Sequence, residues 1–250
     1  MADSGKLVIS CSTLGYAIAG ATVSAAIAAE RWVGRGDEQA AEEAAAAAMR
    51  EALNAVDFTG HVVVGEVDIP ILNVGESVGT GNGPELDIAL EALEGTTLTA
   101  KAMPNALAVI AAAPKGGLLQ VPDLYMEKLA IGPGYERGVV DLDASAGENA
   151  IRLAKAKGVD VREITACVLD RPRHEKIIAD LRKVGVRINL IPDGDVAGAI
   201  NTAMPETAID MYVGQGKAPE GVLAAAALRC AGGQMQARFV FRNDAEKYQA

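Results

Sequence analysis

A layered α/β fold is what this sequence predicts: an α/β/α sandwich in which N-terminal helices and a first sheet precede a βαβ-rich, mostly parallel sheet. Three observations predict it. Two Ala-rich stretches, from about residue 12 to 31 and from Glu38 to Leu53, read as helices separated by the turn-forming Gly34-Arg-Gly36. Short β-branched or alternating runs follow. From about Asp141 onward, strand-like and helix-like segments alternate, which is the pattern of βαβ units.

Taken in order, Val62-Val63-Val64 reads as a strand ending in Gly65-Glu66, and a second strand is expected from Ile69 to Val74, ending in Gly75-Glu76. Beyond the loop Gly79-Thr-Gly-Asn-Gly83, the alternating ELDIAL (85–90) and the apolar ALAVIAAA (106–113) read as strands. In the second half, ITACVLD, VRINLIPDGD and IDMYVGQG read as strands, and HEKIIADLRKVG, VAGAINTAM and APEGVLAAAALRCAGG as helices. Two closely packed parts are expected, 1–140 and 141–250, with no low-complexity linker between them. Polar clusters lie just past three of the later strands, at 171–174, 193–195 and 214–220, and open α/β sheets gather ligands at the carboxyl ends of strands.

At 250 residues, half of them hydrophobic, the chain can bury one large core or two moderate ones. The 33 acids against 23 bases give a net charge of −10, which argues against a general nucleic-acid binder and suits an acidic site that collects cations. Cys11, Cys167 and Cys230 are far apart and lack CxxC spacing, so neither a disulfide framework nor a zinc knuckle is indicated, and a reducing cytoplasm fits. The apolar stretch from Leu7 to Ala29 is interrupted by Ser, Thr and Gly and lacks a signal peptide's charged lead. It reads as a buried helix, with a membrane span as the lesser alternative.

Acids recur at strand ends and helix starts: Asp37, Glu42, Glu66, Asp68, Glu76, Glu91, Glu94 and Glu220. Hard divalent cations want carboxylate oxygens, and a chain with only two histidines offers little else. Phosphate chemistry with metal help is the activity this suggests, with the hydroxyl of Thr96, in Glu91-Ala-Leu-Glu-Gly-Thr-Thr97, placed to orient an attacking water. Any one strand-end carboxylate taken alone is more often a helix cap or a solvated turn. Pro219 and Glu220, for instance, also suit the first turn of a helix. Arg171 and Arg173, flanking Pro172, suit bidentate phosphate capture and a surface ion pair equally well. His174 reads more as a cap than a base, His61 has no assigned role, and Tyr125 suits core or ligand contact.

Together and in order, WVGRGD (32–37), VVVGE (62–66), VGTGNGPELDIA (78–89), LEGTT (93–97), NALAVIAA (105–112), PDLYMEKLAIGPG (122–134), RPRH (171–174), IPDGDVA (191–197) and APEGVLAAA (218–226) resemble the class II fructose-1,6-bisphosphatases. These belong to the larger lithium-sensitive, inositol-monophosphatase-like superfamily of sugar phosphatases. The resemblance runs from about residue 31 to 230. It implies a sandwich of the sugar-phosphatase type and a first part, 1–140, that binds metal. The implied activity is Mn²⁺- or Mg²⁺-dependent hydrolysis of the 1-phosphate of fructose 1,6-bisphosphate to fructose 6-phosphate and phosphate, with sedoheptulose 1,7-bisphosphate as a second substrate. Glu42, Glu66, Glu91, Glu94 and Glu220 are the implied metal ligands, and Thr96 and Asp68 the implied catalytic residues. Substrate contacts are implied for Glu94, Gly95, Thr96, Tyr125, Arg171, Pro172, Arg173, Asp193, Gly194, Asp195 and Lys217. A cytoplasmic homo-oligomer acting on a small sugar phosphate, without nucleic acid or membrane partners, completes the expectation.

The chain departs from the family pattern in several places. Asp is expected where Glu42 and Glu91 stand, Pro where Ala92 stands and Gly where Lys217 stands; each Asp-to-Glu change adds about 1.5 Å of reach. The segment between Gly65-Glu66 and Gly75-Glu76 is shorter than the pattern and leaves Asp68 as its acid. The first 30 residues match poorly, and members of the family are expected to continue past RFVFRNDAEKYQA. These departures keep two alternatives open: a relative that binds sugar phosphate or a partner without turnover, and a phosphatase for another substrate such as an inositol phosphate. A nucleotide-binding module rests on the GTGNG loop alone, which lacks the third glycine of the dinucleotide fingerprint.

Overall fold

The computed structural model describes residues 13–248, so Cys11 lies outside the described residues. The chain opens with α1 (Thr13–Glu30) and α2 (Glu38–Asn54), packed on each other. Alanine dictates how: Ala21, Ala25 and Ala29 of α1 and Ala41, Ala45 and Ala46 of α2 are fully or almost fully buried, and small side chains let two backbones approach closely. Asp37 starts α2 by accepting a hydrogen bond from the Ala40 amide at 3.0 Å. Ala25→Leu, which forces a larger side chain into this seam, is expected to cost about 1–3 kcal/mol. Thermal unfolding followed by circular dichroism should show Tm lowered by roughly 2–10 °C; an unchanged Tm would show that the seam is open in solution. By length and composition α1 could also cross a membrane, and its outer face exposes Tyr16, Val23 and Ile27.

The first sheet contains β1 (Thr59–Val64), β2 (Ser77–Val78), β3 (Glu85–Glu94) and, after the short α3 (Thr96–Ala100), β4 (Leu107–Pro114). Its order is β2-β1-β3-β4, with β1 and β3 parallel and the outer pairs antiparallel. No strand forms at 69–74, contrary to the sequence expectation. Pro70 has no amide to give a ladder, Leu72 adopts φ +61°, and the Asn73 side chain ties the loop by donating to the Glu66 and Ile69 carbonyls. A single bridge between Glu66 and Asn73 is what remains of the pairing. The GTGNG loop is a turn, folded on residues 54–58 by the Gly79 amide to Asn54 and the Gly81 amide to the Phe58 carbonyl.

The rest of the chain supplies β5 (Tyr125–Ile131), α4 (Ala146–Lys157), β6 (Thr165–Leu169), α5 (Glu175–Val184), β7 (Arg187–Ile191), α6 (Asp195–Ile200), β8 (Met211–Lys217), α7 (Ala218–Ala231), β9 (Gln234–Val240) and α8 (Asp244–Lys247). The sheet order is β7-β6-β8-β5-β9. Strands β7, β6 and β8 are parallel neighbours, and β5 pairs antiparallel with both β8 and β9. All the strands but β5 therefore run one way. β5 comes from the first of the two parts expected from sequence yet pairs in the second sheet.

The cores define five layers. α1 and α2 cover one face of the first sheet, α6 and α7 lie between the two sheets, and α4 and α5 cover the far face of the second. The architecture is thus two α/β/α sandwiches sharing a helical layer. The carboxyl ends of β1 and β3 meet the N-termini of α6 and α7 in the middle of this stack, and the candidate site lies there.

Candidate active site

Strand geometry gathers the acids. Glu91 pairs with Val109 and Glu94 with Leu107, so three steps along β3 match two along β4 and the ladder is irregular between them. Side chains three residues apart on a regular strand point to opposite faces; the extra residue returns Glu94 to the side of Glu91. Glu66 follows directly from β1 through Gly65, Glu42 comes from α2, and Glu220 from the Pro219-led first turn of α7. Gly95 adopts φ +84° at the start of α3, a conformation that glycine takes without a Cβ penalty, and it turns the chain so that Thr96 follows Glu94 at the end of the strand.

The electrostatics of this group are those of acids whose burial and mutual repulsion outweigh the nearby charges of Lys217, on Glu42 and Glu220, and of Lys128, on Glu220. Burial is the largest cause at each position, and it raises every one of the five carboxyls. Glu66 is pushed up to about 7, with the Glu42 and Asp68 charges adding to burial and the Ala92 amide opposing it. Glu94 is pushed up to about 8 by burial and by Asp195 and Glu220, against the Val196 amide. Glu91 lies well above the carboxylate range, repelled by all four of the others. Two backbone donors hold the group in place, Ala92 to Glu66 Oε1 at 2.8 Å and Val196 to Glu94 Oε1 at 3.1 Å.

An all-oxygen donor set, with Glu66 and Glu94 buried, Glu42, Glu91 and Glu220 half-buried and all five mutually repelling, fits a hard cation. A buried Oε2 on Glu220 that lacks any hydrogen-bond partner fits it too. Among the described residues, however, no three acidic, His or Cys side chains close around a single point. The carboxylates surround a region rather than forming a finished cage.

Thr96 and Thr97 both direct their hydroxyls at Glu38 Oε2, at 3.5 and 3.1 Å. Asp68 is exposed and touches the group only through its charge, which raises Glu42 and Glu66. Two arginines gather at the Tyr125 ring. The Arg173 guanidinium stands over the Tyr125 ring at 5.3 Å and that of Arg242 at 5.8 Å. Arg173 also donates to the Gln215 carbonyl through Nε and Nη2. His174 is fully buried and used structurally: Nδ1 meets the Leu169 carbonyl and Nε2 meets the Gln215 amide, both at 2.8 Å, which fixes the donating proton on Nδ1. Arg171 faces Asp193 at 3.9 Å, and Lys217 faces Asp123 at 3.8 Å.

Residues 12–250 match the family model described as bacterial fructose-1,6-bisphosphatase, glpX-encoded. This chain belongs to that family. Over 226 residues it is 46% identical to fructose-1,6-bisphosphatase 1 class 2 of Escherichia coli strain K12, an alignment covering 89% of this chain and 67% of the relative. The class 2 fructose-1,6-bisphosphatase of Shigella flexneri matches to the same extent.

Of the residues expected to form a site in this bacterial fructose-1,6-bisphosphatase family member, Glu66, Glu91 and Glu94 lie at the ends of β1 and β3, with Glu42 and Glu220 close enough for their charges to act on them. Tyr125 and Arg173 stack, and Asp193, Gly194 and Asp195 open α6. Ala92 has a physical account: its amide holds Glu66, which a proline there could not do. Three residues escaped the sequence reading. Glu38, one step past the Asp37 cap, holds both threonine hydroxyls, and Arg242 reaches Tyr125 from beyond β9; neither position carries a local signal. The third, Lys128, had one: it is a lysine on the buried alternation of an apolar strand, with 1% exposure.

Proposed function

We propose that this chain hydrolyses the 1-phosphate of fructose 1,6-bisphosphate, giving fructose 6-phosphate and phosphate, with sedoheptulose 1,7-bisphosphate as a second substrate. The observation that carries the reading is the acid cluster beside Thr96 in a chain of this family. Glu42, Glu66, Glu91, Glu94 and Glu220 are the donors for Mn²⁺ or Mg²⁺, ions that when bound acidify water and offset phosphate charge. Thr96 donates its hydroxyl proton to Glu38, which leaves an oxygen lone pair to accept from water and aim that water at phosphorus. The bond from phosphorus to the C1 oxygen breaks, and the sugar keeps that oxygen and gains a proton. Arg171 and Arg173, with Tyr125, Pro172 and Lys217 around them, hold the phosphate that stays. Asp193 and Asp195 accept hydrogen bonds from sugar hydroxyls, and Gly95 and Gly194 set the turns that present their neighbours.

The same reading takes the protein to be a cytoplasmic homo-oligomer. The exposed Tyr16, Val23 and Ile27 on α1 support self-association, and the free thiols Cys167 and Cys230 suit a reducing compartment. Phosphate release from fructose 1,6-bisphosphate with Mn²⁺ or Mg²⁺ tests the activity. Thr96→Ala is expected to lower kcat about 100-fold with KM changed little. Wild-type protein that binds the sugar phosphate saturably without releasing phosphate would refute the reading.

A further inference from the structure

Lys128 is buried in the middle of β5, and its Nζ lies 2.6 Å from Asp195 Oδ2. Strand alternation puts Lys128 on the same face as Met126, toward the shared helical layer. The surroundings are shaped for this pair. Its neighbour across β8 is Gly214, and two residues along stands Gly216, where a Cβ would lie 2.0 Å from Asp195 Oδ2 and 3.0 Å from Lys128 Nζ. At Gly221 of α7 a Cβ would press on Lys128 Cε at 3.3 Å. Any side chain at 216 would drive the pair apart.

The pair is joined to the acid cluster through one peptide. Asp195 is the first residue of α6, and the next residue, Val196, gives its amide to Glu94 Oε1. Only one oxygen of Asp195 is engaged by Lys128. The other accepts no hydrogen bond from a described residue, which leaves it to accept from a ligand. A carboxylate left without its lysine would be free to turn, and its second oxygen would lose a fixed direction.

We propose that Lys128 is a positioning residue: it clamps Oδ2 of Asp195 so that Oδ1 faces the sugar as a fixed, charged acceptor. The proposal rests on the assignment of Asp195 to sugar hydroxyls made above. Three variants test it, Lys128→Met, Asp195→Asn and the double variant, each read by Tm and by KM and kcat for fructose 1,6-bisphosphate. Lys128→Met is expected to lower Tm and to raise KM at least tenfold with kcat within about threefold. In the double variant, which removes both charges, Tm should recover most of the loss while KM stays as high as in Asp195→Asn. A lysine acting independently of Asp195 would instead raise KM in the double variant beyond that of Asp195→Asn, and that result overturns the proposal. So does a normal KM in Lys128→Met when Asp195→Asn has a raised one. A normal KM in Asp195→Asn removes the sugar assignment itself, and the role of Lys128 with it.

Discussion

Glu94→Gln is expected to lower phosphate release from fructose 1,6-bisphosphate by about 10²–10³-fold, and at the same time to make the metal-free protein more stable. The two effects share a cause. Glu94 is 7% exposed, and burial together with the Asp195 and Glu220 charges pushes it up to about 8. Glutamine keeps the acceptor for the Val196 amide and removes the charge that a cation needs. Because the native carboxyl lies above its unfolded value, the stability it contributes is full below about pH 4.5 and is lost as pH rises through about 8. The gain in Tm from glutamine should therefore be small at pH 6 and reach several degrees at pH 9, measured by thermal unfolding in EDTA. A variant that is less stable than wild type at pH 9 without metal would show that Glu94 is not held in a repelling cluster.

Mn²⁺ is expected to release protons from the protein and to flatten its dependence on pH. Glu66 at about 7, Glu94 at about 8 and Glu91 well above the carboxylate range all hold protons at neutral pH that a bound cation would displace. On the order of two protons per chain should appear when Mn²⁺ is added at pH 7 in weak buffer with an indicator dye. In EDTA the Tm should fall between pH 5 and pH 9, since groups raised by folding stabilise only below their native values. With Mn²⁺ present the fall should largely vanish. Metal binding without proton release would contradict a buried carboxylate site.

Elements whose signal is local were legible in the sequence. The Ala-rich helices, the Val62–Val64 strand and the strand-helix alternation after residue 141 all appear where composition and period place them. The strand expected at 69–74 failed because Pro70 and the Asn73 side chain outweigh a β-like composition. That β5 would enter the second sheet antiparallel could not be read locally, since its partners Met211–Lys217 and Gln234–Val240 lie far along the chain. At the site, the residues of EALEGTT were legible as a motif. The irregularity that brings Glu91 and Glu94 to one side depends on how β4 pairs, and Glu38 reaches Thr96 from a separate helix.

The one reversed strand has a consequence for how the molecule assembles. On a ribosome, β5 emerges long before β8 and β9, and until both exist it has no neighbours; its ion pair from Glu127 to Arg238 closes 111 residues of chain. Contacts this distant in sequence form late and slowly. The second sheet must wait with an apolar strand unpaired, a state prone to non-native association. Lys128 is carried by that waiting strand, so its pairing with Asp195 belongs to the last steps of folding, and catalytic competence should lag behind the appearance of helical signal when the unfolded chain is returned to native conditions.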